Sequence, residues 1–200
     1  MHPALPFRVS DEAVLLAHLA QFSFATIAAA VDGRAVVAHA PVIARRTGEG
    51  LVLDFHLSRG NVLASALPGG FHAVAVSLAT EAYVSPDWYE NRDSVPTWNY
   101  VSVEVEGAVA GLDEAGLIAL LDDLSALEEA RLLPKKPWTR DKMSPGKFES
   151  MLRGIVGARM TVERFEGVTK LSQNKTAADR AGVMAALGDH PVGRRMRDLE

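Results

Sequence analysis

Three short stretches of this chain carry residue types that can do chemistry. The first is His56-Leu57-Ser58-Arg59-Gly60-Asn61. A hydroxyl, a guanidinium fork and a glycine open to close backbone approach stand where an apolar run ends, which suits a phosphate. A phosphate monoester carries about −1.5 to −2 charges at pH 7, so this arrangement would hold it well. A capped helix with a solvated arginine explains the same residues equally well. The second stretch is Lys170-Leu171-Ser172-Gln173-Asn174-Lys175, which crowds polar side chains and two lysines onto one turn. It could attract an anion; taken alone, it reads more simply as a surface helix capped by Asn174 with solvated lysines.

The third stretch runs from Tyr83 to Tyr100. It holds Tyr83, Tyr89, Tyr100, Trp88 and Trp98, although aromatics make up only 6% of the chain. Clustered flat side chains suit a pocket that grips a planar ligand. Trp98 lies on an alternating segment and fits a core position. Trp88 and Tyr89 follow Ser85-Pro86-Asp87 in a loop, so they pack on a ligand, a partner subunit or the body of the fold.

The chain lacks a GxGxxG dinucleotide fingerprint, a Walker loop, a GxSxG elbow and a His-Glu-x-x-His zinc helix. Its six histidines show no metal-ligand spacing, and the absence of cysteine removes thiolate sites and cysteine nucleophiles. His39 and His56 fall on neighbouring expected strands and could converge. A histidine satisfied by backbone is the commoner outcome there.

The elements that position these residues are mostly strands. Asp32-Gly33 is a two-residue hairpin turn between an apolar run, 24–31, and a returning strand, 34–46. Pro41 favours an edge or bulge in that strand. Thr47-Gly48-Glu49-Gly50 makes the next turn, followed by a strand over 51–57, a short helical piece over 62–67 and a strand over 71–80. Val101, Val103 and Val105 alternate with Ser102, Glu104 and Glu106 on a strand over 97–109. Helices are expected after Ser10, with Val14, Leu15, His18 and Leu19 on one face, over 113–130 and over 176–187. Residues 131–147 read as a loop, 155–165 as a last strand, and Gly167 as a turn. This pattern predicts a mainly β fold, an antiparallel barrel with peripheral helices. One domain spans residues 1–190, and 191–200 form a frayed tail.

With 200 residues and a net charge of −4, the chain can build a sizeable core but offers no general basic surface for nucleic acid. No apolar run is long enough to span a bilayer and no leader pattern is evident, so a cytoplasmic location is expected.

Read together, these motifs resemble the PaiB family of FMN-binding negative transcriptional regulators. The resemblance is carried by Ala38-His39-Ala40-Pro41, Ser58-Arg59-Gly60-Asn61, Ala82-Tyr83-Val84-Ser85-Pro86, Trp88-Tyr89, Val95-Pro96-Thr97-Trp98-Asn99-Tyr100, Lys170-Leu171-Ser172-Gln173-Asn174 and Ala178-Asp179-Arg180-Ala181-Gly182. It implies a split antiparallel β-barrel of the FMN-binding type with Greek-key connections, similar to pyridoxamine-phosphate oxidase. It further implies a homodimer with FMN at the subunit interface. Ser58 and Arg59 then hold the phosphate, with Lys170 standing in for a lysine that Gly60 replaces. Asn61, His39, Tyr83, Ser85, Trp98, Asn99, Ser172 and Gln173 complete the cofactor site. The loop Glu90-Asn91-Arg92-Asp93-Ser94 departs from the family pattern, being shorter and more acidic.

Three functions follow. The first is an FMN-binding regulator. The second is an FMN-dependent oxidoreductase of the pyridoxamine-phosphate oxidase or flavin reductase type, acting on a small molecule, for which no catalytic residue is assigned beyond the weak candidates His39 and His56. The third, direct DNA binding, is disfavoured by the acidic balance and has footholds only in residues 131–147 and the Arg194, Arg195 and Arg197 tail.

Overall fold

The computed structural model describes residues 4–48 and 50–200; Glu49 of the expected 47–50 turn lies outside the described residues. The chain runs β1 (Arg8–Val9), α1 (Glu12–Gln21), β2 (Phe24–Val31), β3 (Arg34–Thr47), β4 (Gly50–Ser58), α2 (Val62–Ala66), β5 (Phe71–Val84), β6 (Thr97–Gly111), α3 (Glu114–Ala130), α4 (Lys147–Leu152), β7 (Ile155–Lys170), α5 (Ala177–Leu187) and α6 (Pro191–Arg197).

The strands hydrogen-bond in the order β1-β7-β4-β3-β2-β5-β6, and β6 pairs back onto β7. That second pairing closes six strands into a barrel, with β1 added beside the far half of β7. All pairings are antiparallel. β2, β3 and β4 form a meander and β5 returns beside β2, which is a Greek key. Asp32 and Gly33 take φ of 50° and 74°, the left-handed pair that a tight hairpin between twisted strands requires.

Strand alternation sends Ile27, Val42, Leu53, Phe55, Val103, Val105 and Met160 into the barrel, all nearly or fully buried. Each large side chain of this kind contributes about 1.5–3 kcal/mol by leaving water. Leu15 and Leu19 of α1 and Leu63 of α2 join the same core. α3 lays Leu117, Leu120 and Leu124 inward. Its Asp123 binds Arg45, which in turn reaches the buried Asp54 carboxylate. Arg159 grips that carboxylate with two bonds of 2.7 and 2.8 Å. A second core, with Val84, Tyr89, Val101, Leu171, Val183, Val192 and Met196, lies between the far ends of β5, β6 and β7 and helices α5 and α6.

Several local expectations change. Pro41 sits in an interior strand: β3 pairs with β2 up to Pro41 and with β4 from Val42 onward, so the missing N–H falls at the exchange of partners. Gly167 does not turn the chain. It stays inside β7, where a Cβ would come within 2.7 Å of Leu15, so its role is to let α1 pack closely. The expected frayed tail is instead α6, anchored by the buried Val192 and Met196. Asp11, not Ser10, caps α1, and Thr176, not Asn174, caps α5. Val14 is exposed rather than on the packed face of α1.

Candidate functional site

Ser58 ends β4 opposite Ile155, the first residue of β7. Its side chain is exposed, with no hydrogen bond among the described residues. The Arg59 guanidinium is partly committed: Nε donates to the Arg153 carbonyl at 2.9 Å and Nη2 to the Ile155 carbonyl at 3.1 Å. The fork expected to meet a phosphate therefore stitches β4 to the start of β7, leaving Nη1 and the positive charge to face outward. Asn61 is spent as the α2 cap, its Oδ1 accepting from the Leu63 N–H at 2.9 Å. A Cβ at Gly60 would meet nothing nearer than Ser58 Oγ at 4.0 Å, so this turn has an open side. Arg140 and Arg153, which no motif singled out, join Arg59 around a cleft of about 560 Å³ floored by Leu117, Phe148 and Leu152.

His39 lies on the outward face of β3 opposite Thr26, its ring nearly parallel to Phe24 with centroids 6.4 Å apart. The β3–β4 pairing begins at Val42 opposite Phe55, so neither His39 nor His56 has a register partner on the other of these two strands. Each points out of the barrel between inward neighbours, His39 between Ala38 and Ala40 and His56 between Phe55 and Leu57. Burial holds the His56 imidazole below its ordinary pKa, and its Nδ1 is buried without a hydrogen-bond partner. Ser58, Arg59 and Asn61 form one group on the turn from β4 into α2, and His39 stands on β3 against Phe24.

The remaining residues form another. Tyr83 and Trp98 are register partners on β5 and β6, packed edge to face at 6.1 Å and 76°. Trp98 is 54% exposed, contrary to the core position expected for it, whereas Tyr89 is buried. The reason is strand parity: Asn99, Val101 and Val103 point inward, so Trp98 and Tyr100 must point outward. Ser85 caps the short turn Pro86–Trp88 by accepting from the Asp87 N–H. Asn99 is fully buried; its Nδ2 donates to Ser172 Oγ at 2.9 Å while its Oδ1 finds no partner. Ser172 holds a left-handed φ of 62°. Gln173 braces the same turn, accepting from the Leu171 N–H at 2.7 Å and donating to the Thr169 carbonyl. Lys170 donates to Thr97 Oγ1 at 2.6 Å, and burial lowers its ammonium pKa. Lys175 places its Nζ 4.3 Å from the Tyr89 ring centroid and donates to Ser94, tying α5's approach to the acidic loop.

The two groups stand at opposite ends of the 16-residue β7. At about 3.3 Å per residue that strand contour is on the order of 50 Å, longer than any mononucleotide. Lys170, the register partner of Tyr100, and Arg59, bonded to the Ile155 carbonyl, thus stand by opposite ends of that strand. On β2, β3 and β5, Phe24, Val37 and Leu78 are exposed at 65%, 53% and 51%. Sequence reading missed these exposed positions because they come from three different strands.

Among the described residues no cluster of His, Asp and Glu could hold a metal ion, and no helix is long and apolar enough to cross a membrane.

Comparison with known proteins adds independent information. The family described as "Putative FMN-binding domain" matches residues 1–164. The chain is 28% identical to the "Protease synthase and sporulation protein PAI 2" of Bacillus subtilis, over 96% of this chain and 93% of that protein. Among solved structures, the FAD and heme binding protein from Mycobacterium smegmatis aligns with a TM-score of 0.60 and 18% identity, covering 92% of this chain and 81% of that one. The flavocytochrome Anf3 from Azotobacter vinelandii aligns with a TM-score of 0.57 and 16% identity, covering 90% and 78%. At such identities the structural likeness speaks to the fold alone.

Proposed function

The chain belongs to this FMN-binding family, of PaiB type, and its cofactor is FMN; on that premise we propose that it works as a cytoplasmic homodimer with two FMN sites, each shared between protomers. The observation that carries the proposal is the separation of the two groups along β7. Ser58, Arg59 and His39 of one protomer supply the phosphate end of a site. Tyr83, Trp98 and the turn held by Asn99, Ser172, Gln173 and Lys170 come from its partner and frame the ring system. The exposed Phe24, Val37 and Leu78 supply apolar surface that the two copies bury.

The residues fit such a ligand. An unengaged hydroxyl, an outward-facing guanidinium nitrogen and an open glycine turn suit a phosphate, and a solvent-facing tyrosine–tryptophan pair suits a planar ring. When bound, FMN supplies redox chemistry, while the protein supplies binding and orientation. Ser85 and Asn61 act behind this surface by fixing the turns that carry Trp88 and Ser58.

In this reading the protein is a flavin-dependent negative transcriptional regulator of the PaiB type, responding through a metabolite or partner rather than by a broad DNA-binding face. The chain's net charge of −4 supports that form of regulation. Sedimentation of the purified protein with its visible spectrum tests the assembly: a yellow species of twice the chain mass is expected, and a colourless or monomeric one opposes it.

The oxidoreductase reading draws on one observation, the His56 imidazole two residues before Ser58, whose Nδ1 is buried without a hydrogen-bond partner and whose pKa burial lowers. Anaerobic reduction of the bound FMN by NAD(P)H, with rapid turnover of a defined small-molecule substrate, would favour that reading over a regulator.

A further inference from the structure

We propose that the cleft between the C-terminal end of α1 and helix α6 binds a small phosphorylated molecule at a site distinct from the flavin site. The cleft is about 790 Å³, within the range of small-ligand sites, and Arg194, Arg195 and Arg197 all line it together with Gln21, Phe22 and Thr80.

The arginines are held in place by neutral acceptors. Arg194 donates to the Asp189 carbonyl, Arg197 to the Gly188 carbonyl at 3.0 Å, and Arg195 to Gln21 Oε1 at 3.4 Å. The Arg195 guanidinium also lies 5.3 Å from the Phe22 ring centroid. No carboxylate pairs with any of the three among the described residues. Elsewhere Arg45, Arg46, Arg159, Arg164 and Arg180 each bind a carboxylate. On α6, three guanidinium groups without a carboxylate bond thus gather within four residues of one helix.

Their support is rigid. Val192 and Met196 are buried in the second core, and a Cβ at Gly193 would come within 2.9 Å of the Gly188 carbonyl, so α6 cannot lift without losing that packing. Each guanidinium keeps free N–H groups, and a phosphate can accept from several forks at once. Gln21 and Arg195 also line an adjoining pocket of about 260 Å³ walled by Leu15, Val101 and Val168, with room for a small apolar part of the same ligand.

A nucleic-acid duplex fits less well. Asp198 lines the cleft, so an extended phosphate backbone would meet negative charge where a compact ligand would not.

The test is calorimetric titration of FMN-saturated protein with inorganic pyrophosphate, which keeps the flavin site filled. Saturable binding is expected, weakened at least tenfold by Arg194→Gln with Arg195→Gln, at unchanged flavin absorbance. Arg195→Lys, which keeps the charge and leaves the packed face of α6 intact, should lie between. Arg46→Gln, at a carboxylate-paired arginine remote from the cleft, should bind as the unaltered protein does. No saturable binding, or an equal loss in Arg46→Gln, overturns the proposal. So does a short DNA duplex that binds through the same arginines more tightly than pyrophosphate.

Discussion

Gly182 of α5 faces the Trp88 carbonyl so closely that a Cβ there would lie 2.0 Å from the oxygen. One turn earlier on the same helix, Asp179 Oδ1 accepts from the Glu90 N–H at 3.0 Å. The helix therefore grips both sides of the aromatic turn, and the spacing of Asp179 and Gly182 has a mechanical meaning. Gly182→Ala should force α5 and the turn apart, costing about 1–3 kcal/mol, read as a lower urea midpoint with reduced flavin retention. An unchanged midpoint would show that the two elements do not pack as described.

Arg59→Ala should weaken FMN binding severely. A hydrogen bond to a charged group is worth about 1.5–3 kcal/mol, on the order of a 10- to 100-fold loss in affinity. The same variant should also melt earlier, since it removes the bonds to the Arg153 and Ile155 carbonyls. Fluorescence titration with FMN checks the first effect and thermal denaturation the second. A variant that copurifies with normal yellow FMN would remove Arg59 from the phosphate site.

Tyr83→Ala combined with Trp98→Ala deletes exposed aromatics, and exposed side chains far from other features ordinarily change stability by within about 0.5 kcal/mol. Here the double variant should shift the sedimenting species toward the monomer and lower flavin content. Retention of a flavin-loaded dimer would place both residues outside the interface.

Acid should destabilise the fold through its buried histidines. Burial is the first cause lowering the pKa of both His18 and His56. The unfolded chain then binds protons more readily than the folded one just below the ordinary histidine value of about 6.5. Stability consequently rises with pH across the window between the lowered folded values and about 6.5, and is level above it. His18 receives partial compensation because its Nε2 lies 3.2 Å from the Ser77 carbonyl. Melting temperature should fall as pH drops from about 7 to 5, and His18→Gln should reduce the slope. An equal slope in that variant would assign the acid sensitivity to other groups.

Much of the barrel was legible because its signals are local. Asp32-Gly33 specified its hairpin, and Val101, Val103 and Val105 specified the inward face of β6. Applied consistently, that alternation also places Trp98 outside, although its size invites a core assignment. Gly167 misled because a glycine in a strand signals a turn as readily as a close approach, and its reason lies in Leu15, more than 150 residues away. The tail looked frayed because arginines dominate its composition, while Val192 and Met196, on its other face, find a core only after β5 and β6 are paired. The site residues came from motif blocks. That those blocks divide between the two ends of β7 could be seen only from register.

The shared site is tested most directly by complementation. Arg59→Ala alters one half of each site, and Tyr83→Ala with Trp98→Ala alters the other. The two variants, co-expressed with different tags and purified as a mixed dimer, bring one intact pair of halves together and leave one site doubly altered. The expected result is about one FMN per mixed dimer, with each parent dimer nearly empty. A mixed dimer as empty as its parents would contradict a site shared between protomers.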